Sequence, residues 1–258
     1  MNSSVLKLSI IIVIFFAYIT PNDINAKEKN NKKLPGKKIV SKNLDNLYPP
    51  KKLILDPVVR LTILFNDIKN KSTKTYHATG FSIGNSKKLT TSLIITNAHF
   101  CKKFRNETNS LMFAEDSSSF RGNLPPKVDY PAIIVRVSEK QDLCLVLAQG
   151  FITPIKMGKK NYIPKALDIV YTVGAPGGVF PIVTKTNVST IVSKNNAALG
   201  PMSREGPKIG MLSAKVYPGQ SGSPVYDKDG IVIGVLFSAT GTYGGFFILN
   251  EDIYNFVE

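Results

Sequence analysis

From residue 53 onward the sequence alternates between short runs of apolar, β-branched and aromatic residues and short polar stretches. VVRLTILF (Val58 to Phe65), YHATGFSIG (Tyr76 to Gly84) and LTTSLIITN (Leu89 to Asn97) have the length and composition of strands, with IKNKSTK and GNSKK as the turns between them. Phe100 to Pro126 is polar and is expected to be a long, flexible excursion, after which AIIVRV (Ala132 to Val137) and LCLVLAQG (Leu143 to Gly150) resume the pattern. Phe151 to Pro164 reads as a connection to a second series: ALDIVYTVG, VFPIVTKTNVSTIVS, KIGMLSAKV, SPVYDKDG, GIVIGVLFSAT and GGFFILN, with GAPGG and KDG as turns. A helical period shows at the end of the chain. There Asn250 is the expected cap, Glu251 and Asp252 occupy the first turn, and Ile253, Phe256 and Val257 share one face. The pattern predicts an all-β protein with a short C-terminal helix.

The two ends of the chain differ in character. Residues 1–26 read as a secretory signal, with Lys7 in a short basic start, an apolar core from Leu8 to Ile19, Pro21, and Ala26 as the cleavage point. Export to the periplasm or the medium follows from that reading. The alternative is a membrane anchor over residues 8–20, against which the apolar core is shorter than the ~20 residues that span a bilayer. Residues 27–52 carry nine lysines against Glu28 and Asp45, so this arm supplies +7 of the formal net charge of +15. Rich in Lys, Asn and Pro, it can bury little. It suits a pro-segment, a tether to an anionic surface or a solubilising leader, and no specific nucleic acid is predicted as partner. The rest, in a chain of 258 residues that is 43% hydrophobic, is ample for a sizeable core.

The stretch that carries chemistry is PGQSGSPVYD, Pro218 to Asp227. Gly219 and Gly222 allow a sharp turn around Ser221, with backbone N–H groups close to its hydroxyl. A serine is a weak nucleophile unless a base takes its proton, so the loop calls for a histidine and an acid behind it. The chain has two histidines. His77 lies inside an alternating run and reads as a half-exposed strand residue, whereas His99 ends SLIITNAHFC, where a strand gives way to a turn. For the acid, Asp142 in EKQDLCLVLAQG opens a buried-looking strand. Asp129 and Asp168 also precede apolar runs, and spacing leaves the choice among them open. Ser223 is a rival nucleophile. Two cysteines are too few for a metal cluster; in an exported protein they suit one disulfide, with two buried thiols as the alternative.

ITNAHFC, QDLCLVL and PGQSGSPV, in the order His, Asp, Ser, resemble the catalytic signatures of the trypsin-like (chymotrypsin-fold) serine peptidases. DIVYTVGAPGGVFPIVTKTNVSTIVS is similar to the strand, turn and strand of Deg-type proteases, and GFFILNEDIYNFVE resembles the end of secreted glutamyl endopeptidases. The likeness covers roughly residues 55–258. It implies two antiparallel six-stranded β-barrels (first barrel 53–152, second barrel 165–249, helix 250–258) and no PDZ module after the helix. It also implies a serine endopeptidase acting through an acyl-enzyme, with His99, Asp142 and Ser221 as the triad and the N–H groups of Gly219 and Ser221 as the oxyanion hole. Ser223 takes a structural role by the same likeness.

Around the primary pocket the resemblance places Lys215, Val216 and Tyr217 on one side and Leu236, Phe237, Ser238 and Ala239 on the other. Leu236 stands where glutamyl endopeptidases carry a histidine, so a medium aliphatic preference is expected instead of glutamate. With His99 and Asp142 in contact, Cys101 and Cys144 become neighbours. Cleavage after Lys38, freeing Ile39, would activate a trypsin-type zymogen only if a carboxylate preceded the nucleophile; Gln220 stands there, which cannot form that ion pair. The implied partner is a peptide or protein substrate, with no cofactor and no metal. The competing reading is a catalytically silent member that binds anionic ligands or partner proteins.

Overall fold

In the computed structural model, which describes residues 54–116, 129–193, 208–240 and 244–258, the alternating runs become strands of two closed antiparallel barrels. The signal segment 1–26, the basic arm 27–52 and the Lys38–Ile39 bond lie outside the described residues.

The first barrel contains β1 (Val58–Asp67), β2 (Ser72–Ser86), β3 (Thr91–Thr96), β4 (Ser110–Asp116), β5 (Asp129–Ser138) and β6 (Leu143–Ala148), hydrogen-bonded in the order β1-β2-β3-β6-β5-β4. The second contains β7 (Ile169–Gly174), β8 (Ile182–Val192), β9 (Ile209–Leu212), β10 (Pro224–Tyr226), β11 (Val232–Thr240) and β12 (Gly244–Leu249), in the order β7-β8-β9-β12-β11-β10. The two halves therefore share one connectivity. Strand β1 shows how the pattern drives it: Val59, Leu61 and Ile63 alternate into the first barrel's interior, where they meet Ala78, Ile94 and Val146. Strand β12, by contrast, is buried along its whole length. One of its faces fills the second barrel with Phe247 and Leu249, and the other turns Phe246 and Ile248 toward a separate cluster.

That separate cluster joins the halves. Val58, Phe81 and Leu143 from the first barrel pack with Val173, Val235 and Phe237 from the second. Each buried side chain of this size contributes about 1.5–3 kcal/mol, so the contact orients one barrel firmly on the other. Tyr226 lies wholly buried there, its hydroxyl donating to Ile54 O at 2.9 Å, and burial pushes its phenol well above the ordinary range.

Two expectations need correction. The stretch Phe100 to Pro126 is not all excursion. It opens with the helical turn α1 (Ala98–Cys101) and a 3-10 turn (Lys102–Phe104), and it contains β4. SLMFAED has only four apolar residues, Leu111 to Ala114, between polar ones and does not announce a strand; it becomes one by pairing with β1 on one side and β5 on the other, which closes the barrel. At the C-terminus, α2 (Asn250–Val257) has Leu249 as its N-cap residue. Asn250 is the first helical residue, and its buried Nδ2 donates to Val232 O at 2.8 Å, so a tertiary bond takes the side chain expected to cap. Ile253 and Phe256 are buried as the pattern requires, while Val257 is exposed.

Candidate active site

Strand β3 ends at Thr96, and Asn97, in extended conformation, turns the chain into α1, which sets His99 in its first turn. On the neighbouring strand, pairing of Thr96 with Cys144 brings the start of β6 beside that turn. Asp142, two residues earlier, has φ 56°, in the left-handed region that few side chains other than Asn and Asp tolerate. This conformation is held by Asn97 Nδ2, which donates to Asp142 O at 3.0 Å. It turns the carboxylate back onto His99: Oδ1 accepts the His99 N–H at 2.9 Å, and Oδ2 lies 2.9 Å from Nδ1. A carboxylate can only accept, so Nδ1 carries the proton and Nε2 is left with its lone pair. The Asp142 side chain is 3% exposed and that of His99 45%, so the acid is shielded and the imidazole is open on its far side. Neither Asp129, which opens β5, nor Asp168, whose Oδ2 accepts the N–H of Lys165, shares a hydrogen bond with His99.

Ser221 lies on a loop held from several directions. Gln220 N–H donates to Tyr217 O, and Ser223 N–H to Gln220 O, which curls the loop. Gly219 has φ 96° and Gly222 φ 86°. A Cβ on Gly219 would fall 2.1 Å from Ala175 O, and one on Gly222 would fall 2.0 Å from Thr79 O and 2.4 Å from Thr96 Oγ1. Both positions thus demand glycine for conformation and for space. The second collision also locates the loop: Gly222 presses on the end of β3, three residues before His99. The loop bonds across to the first barrel through Thr79 N–H, which donates to Ser221 O at 2.9 Å. Among the described residues the imidazole is hydrogen-bonded to Asp142 alone, the Ser221 hydroxyl makes no hydrogen bond, and the N–H groups of Gly219 and Ser221 meet no acceptor.

Residues 78–235, more than half of the chain, match the family model of the trypsin-like peptidase domain. The chain belongs to the trypsin-like peptidases. A crystal structure of Deg5 superimposes with a TM-score of 0.61 at 17% identity, covering 80% of this chain and 88% of that one, a likeness that shows the fold alone. No curated protein matches the sequence. Membership of a peptidase family makes peptides or proteins the substrate class.

Other positions of this trypsin-like domain can now be placed. Ser223 is fully buried, and its Oγ, without a hydrogen-bond partner, lies 2.2 Å from where a Cβ on Gly174 would sit. It has no access to a substrate. Gln220, also buried, accepts Tyr217 N–H at 2.8 Å with Oε1. Lys215 and Tyr217 are exposed, and Val216 packs on the second barrel's core beside Gly245 and Leu236. Leu236 and Phe237 are buried; the Phe237 ring packs against Phe246 at a tilt of 44° with ring centroids 6.4 Å apart. Ser238 and Ala239 pair through β11 with Phe246 and Gly245 of β12. Cys101 and Cys144 form a disulfide that ties α1 to β6. Among the described residues no group of three or more His, Cys, Asp or Glu side chains is placed to hold a metal.

Sequence reasoning missed Thr79 and Asn97, the residues that hold the Ser221 loop and Asp142. Both are buried polar side chains next to apolar runs, ATGF and IITN, and that contrast was the available signal.

Proposed function

We propose that the chain is a serine endopeptidase that hydrolyses peptide bonds through His99, Asp142 and Ser221. The observation that carries the reading is the pairing of His99 with a buried Asp142 through both Nδ1 and the backbone N–H, which leaves Nε2 as a base. In the first half-reaction Nε2 takes the Ser221 proton as Oγ attacks the carbonyl carbon. The carbonyl π electrons move to oxygen, and the N–H groups of Gly219 and Ser221 receive that negative charge. Collapse breaks the C–N bond, His99 returns the proton to the leaving amine, and an acyl-Ser221 ester remains. Water repeats the sequence and frees the enzyme. A single oxyanion donor contributes roughly 2.7–4 kcal/mol in sites of this kind. The chemistry needs no cofactor.

The test is covalent labelling by a fluorophosphonate probe. The wild-type protein is expected to label, and Ser221→Ala, folded by circular dichroism, is expected not to. A folded wild type that stays unlabelled, or Ser221→Ala that labels like wild type, overturns the proposal. Peptide-library cleavage is expected to favour medium aliphatic residues before the cut bond over glutamate, because no histidine stands at position 236.

A further inference from the structure

Thr79, near the middle of β2, makes four hydrogen bonds, two of them to the loop of Ser221. Strand β3 stops pairing with β2 at Ile95, opposite Phe81. The Thr79 N–H, two residues before Phe81, is thus available to the second barrel, and it donates to Ser221 O at 2.9 Å. The Thr79 hydroxyl donates to Gly219 O at 2.8 Å and accepts the N–H of Ala175 at 3.0 Å. Thr79 O accepts the Thr96 hydroxyl at 2.7 Å, which ties the assembly to the end of β3 just before His99. Thr79 and Ala175 are fully buried, so no water replaces a partner that is lost.

The position of these bonds within the loop gives them their meaning. Gly219 O belongs to the peptide between residues 219 and 220. The Gly219 N–H lies on the peptide before it, and the Ser221 N–H on the peptide after it. One side of the loop is fixed by Gly177 N–H, which donates to Pro218 O at 2.8 Å, and the other by Thr79 N–H on Ser221 O. The Thr79 hydroxyl clamps the carbonyl end of the Gly219–Gln220 peptide between them, and the N–H end of that peptide donates to Tyr217 O at 3.1 Å. A rotation of that middle peptide would swing both amides that meet no acceptor in the resting chain.

We propose, resting on the serine-peptidase reading above, that Thr79 is a positioning residue: its hydroxyl fixes the Gly219–Gln220 peptide so that the flanking N–H groups face the developing oxyanion. It touches neither substrate nor reacting atoms. Its loss is felt in the rate of the chemical step and hardly in binding, because the oxyanion forms in the transition state.

Thr79→Val keeps the shape and removes the hydroxyl, while Thr79→Ser keeps the hydroxyl. With folding checked by circular dichroism and thermal melting, each variant is treated with a fluorophosphonate, and the saturating labelling rate is separated from the half-saturating concentration. Thr79→Val is expected to label about 100-fold more slowly at saturation, with half-saturation within about threefold of wild type, and Thr79→Ser to stay within about threefold in both. A folded Thr79→Val that labels at the wild-type rate overturns the inference, as does a Thr79→Ser as slow as Thr79→Val. If Thr79→Val does not fold, Thr79→Cys takes its place, since a thiol is a poor donor. It is expected to label at least about tenfold more slowly than Thr79→Ser, and equal rates for the two overturn the inference. A wild type that fails to react removes the peptidase reading and the inference together; a reactive wild type beside an equally reactive Thr79→Val removes the inference alone.

Discussion

At the scale of single residues, the chain uses carboxylates in two different ways. Asp142 is buried and its oxygens are committed to His99, whereas Asp67, at the end of β1, works at the surface. Asp67 Oδ2 accepts Lys74 Nζ at 2.8 Å and Asn70 Nδ2 at 2.8 Å, and its Oδ1 accepts Asn70 N–H at 3.2 Å. The Lys74 bond, followed by those from Asn70, holds the Asp67 carboxyl at about 2, below its ordinary 3.8. Because the folded value is depressed, the pair's contribution is present above the unfolded value and disappears as pH falls from about 4 toward about 2. An NMR titration of the side-chain carboxyls is expected to find Asp67 among the last to protonate, and Lys74→Ala is expected to move it back up. The catalytic candidates divide in legibility at this same scale. Ser221 stood out because its glycines are needed at φ 96° and φ 86°, and His99 because the chain has two histidines. Asp142 did not stand out from Asp129 and Asp168, because only proximity to an imidazole 43 residues away separates them.

At the scale of elements, most strands were readable from their apolar and β-branched runs, and β4 was not, because only its partners β1 and β5 mark its short apolar core as a strand. The pair Arg60 and Glu115 shows how such partners lock together. Arg60 Nε donates to Glu115 Oε2 across β1 and β4, and Arg60 Nη1 donates to Gly178 O in the 3-10 turn Pro176–Gly178 of the second barrel. The same turn supplies Gly177 N–H to Pro218 O. The Glu115 side chain is 1% exposed. Replacing it leaves a guanidinium short of its carboxylate inside the fold, so Glu115→Leu is expected to lower stability by about 3–5 kcal/mol in urea unfolding. Strengthening or no change would show that the pair is dispensable. For the C-terminal helix the apolar period located Ile253 and Phe256 correctly, while Asn250 took a partner on another strand that no local pattern could reveal.

At the scale of the whole molecule, two barrels of one connectivity meet through a shared apolar cluster, and the candidate site lies along that meeting. The first barrel supplies His99, Asp142 and Thr79, and the second supplies the Ser221 loop. The Cys101–Cys144 disulfide closes a chain segment with a sequence separation of 43, for which loss of unfolded-state entropy amounts to about 4 kcal/mol. Chemical denaturation of Cys101→Ala/Cys144→Ala is expected to show a loss of up to about that size, and an unchanged midpoint would mean that the bond contributes nothing to the fold. The sequence by itself determined what acts within a few residues: the apolar strand runs, the glycines whose dihedrals bend the Ser221 loop, and the apolar face of the last helix. Tertiary structure alone decided which groups meet. The bonds from Thr79 to Gly219 and Ser221, from His99 to Asp142 and from Arg60 to Gly178 join positions remote along the chain. Those positions come into hydrogen-bond range only once both barrels have closed and buried the surface between them, and no local propensity encodes that closure.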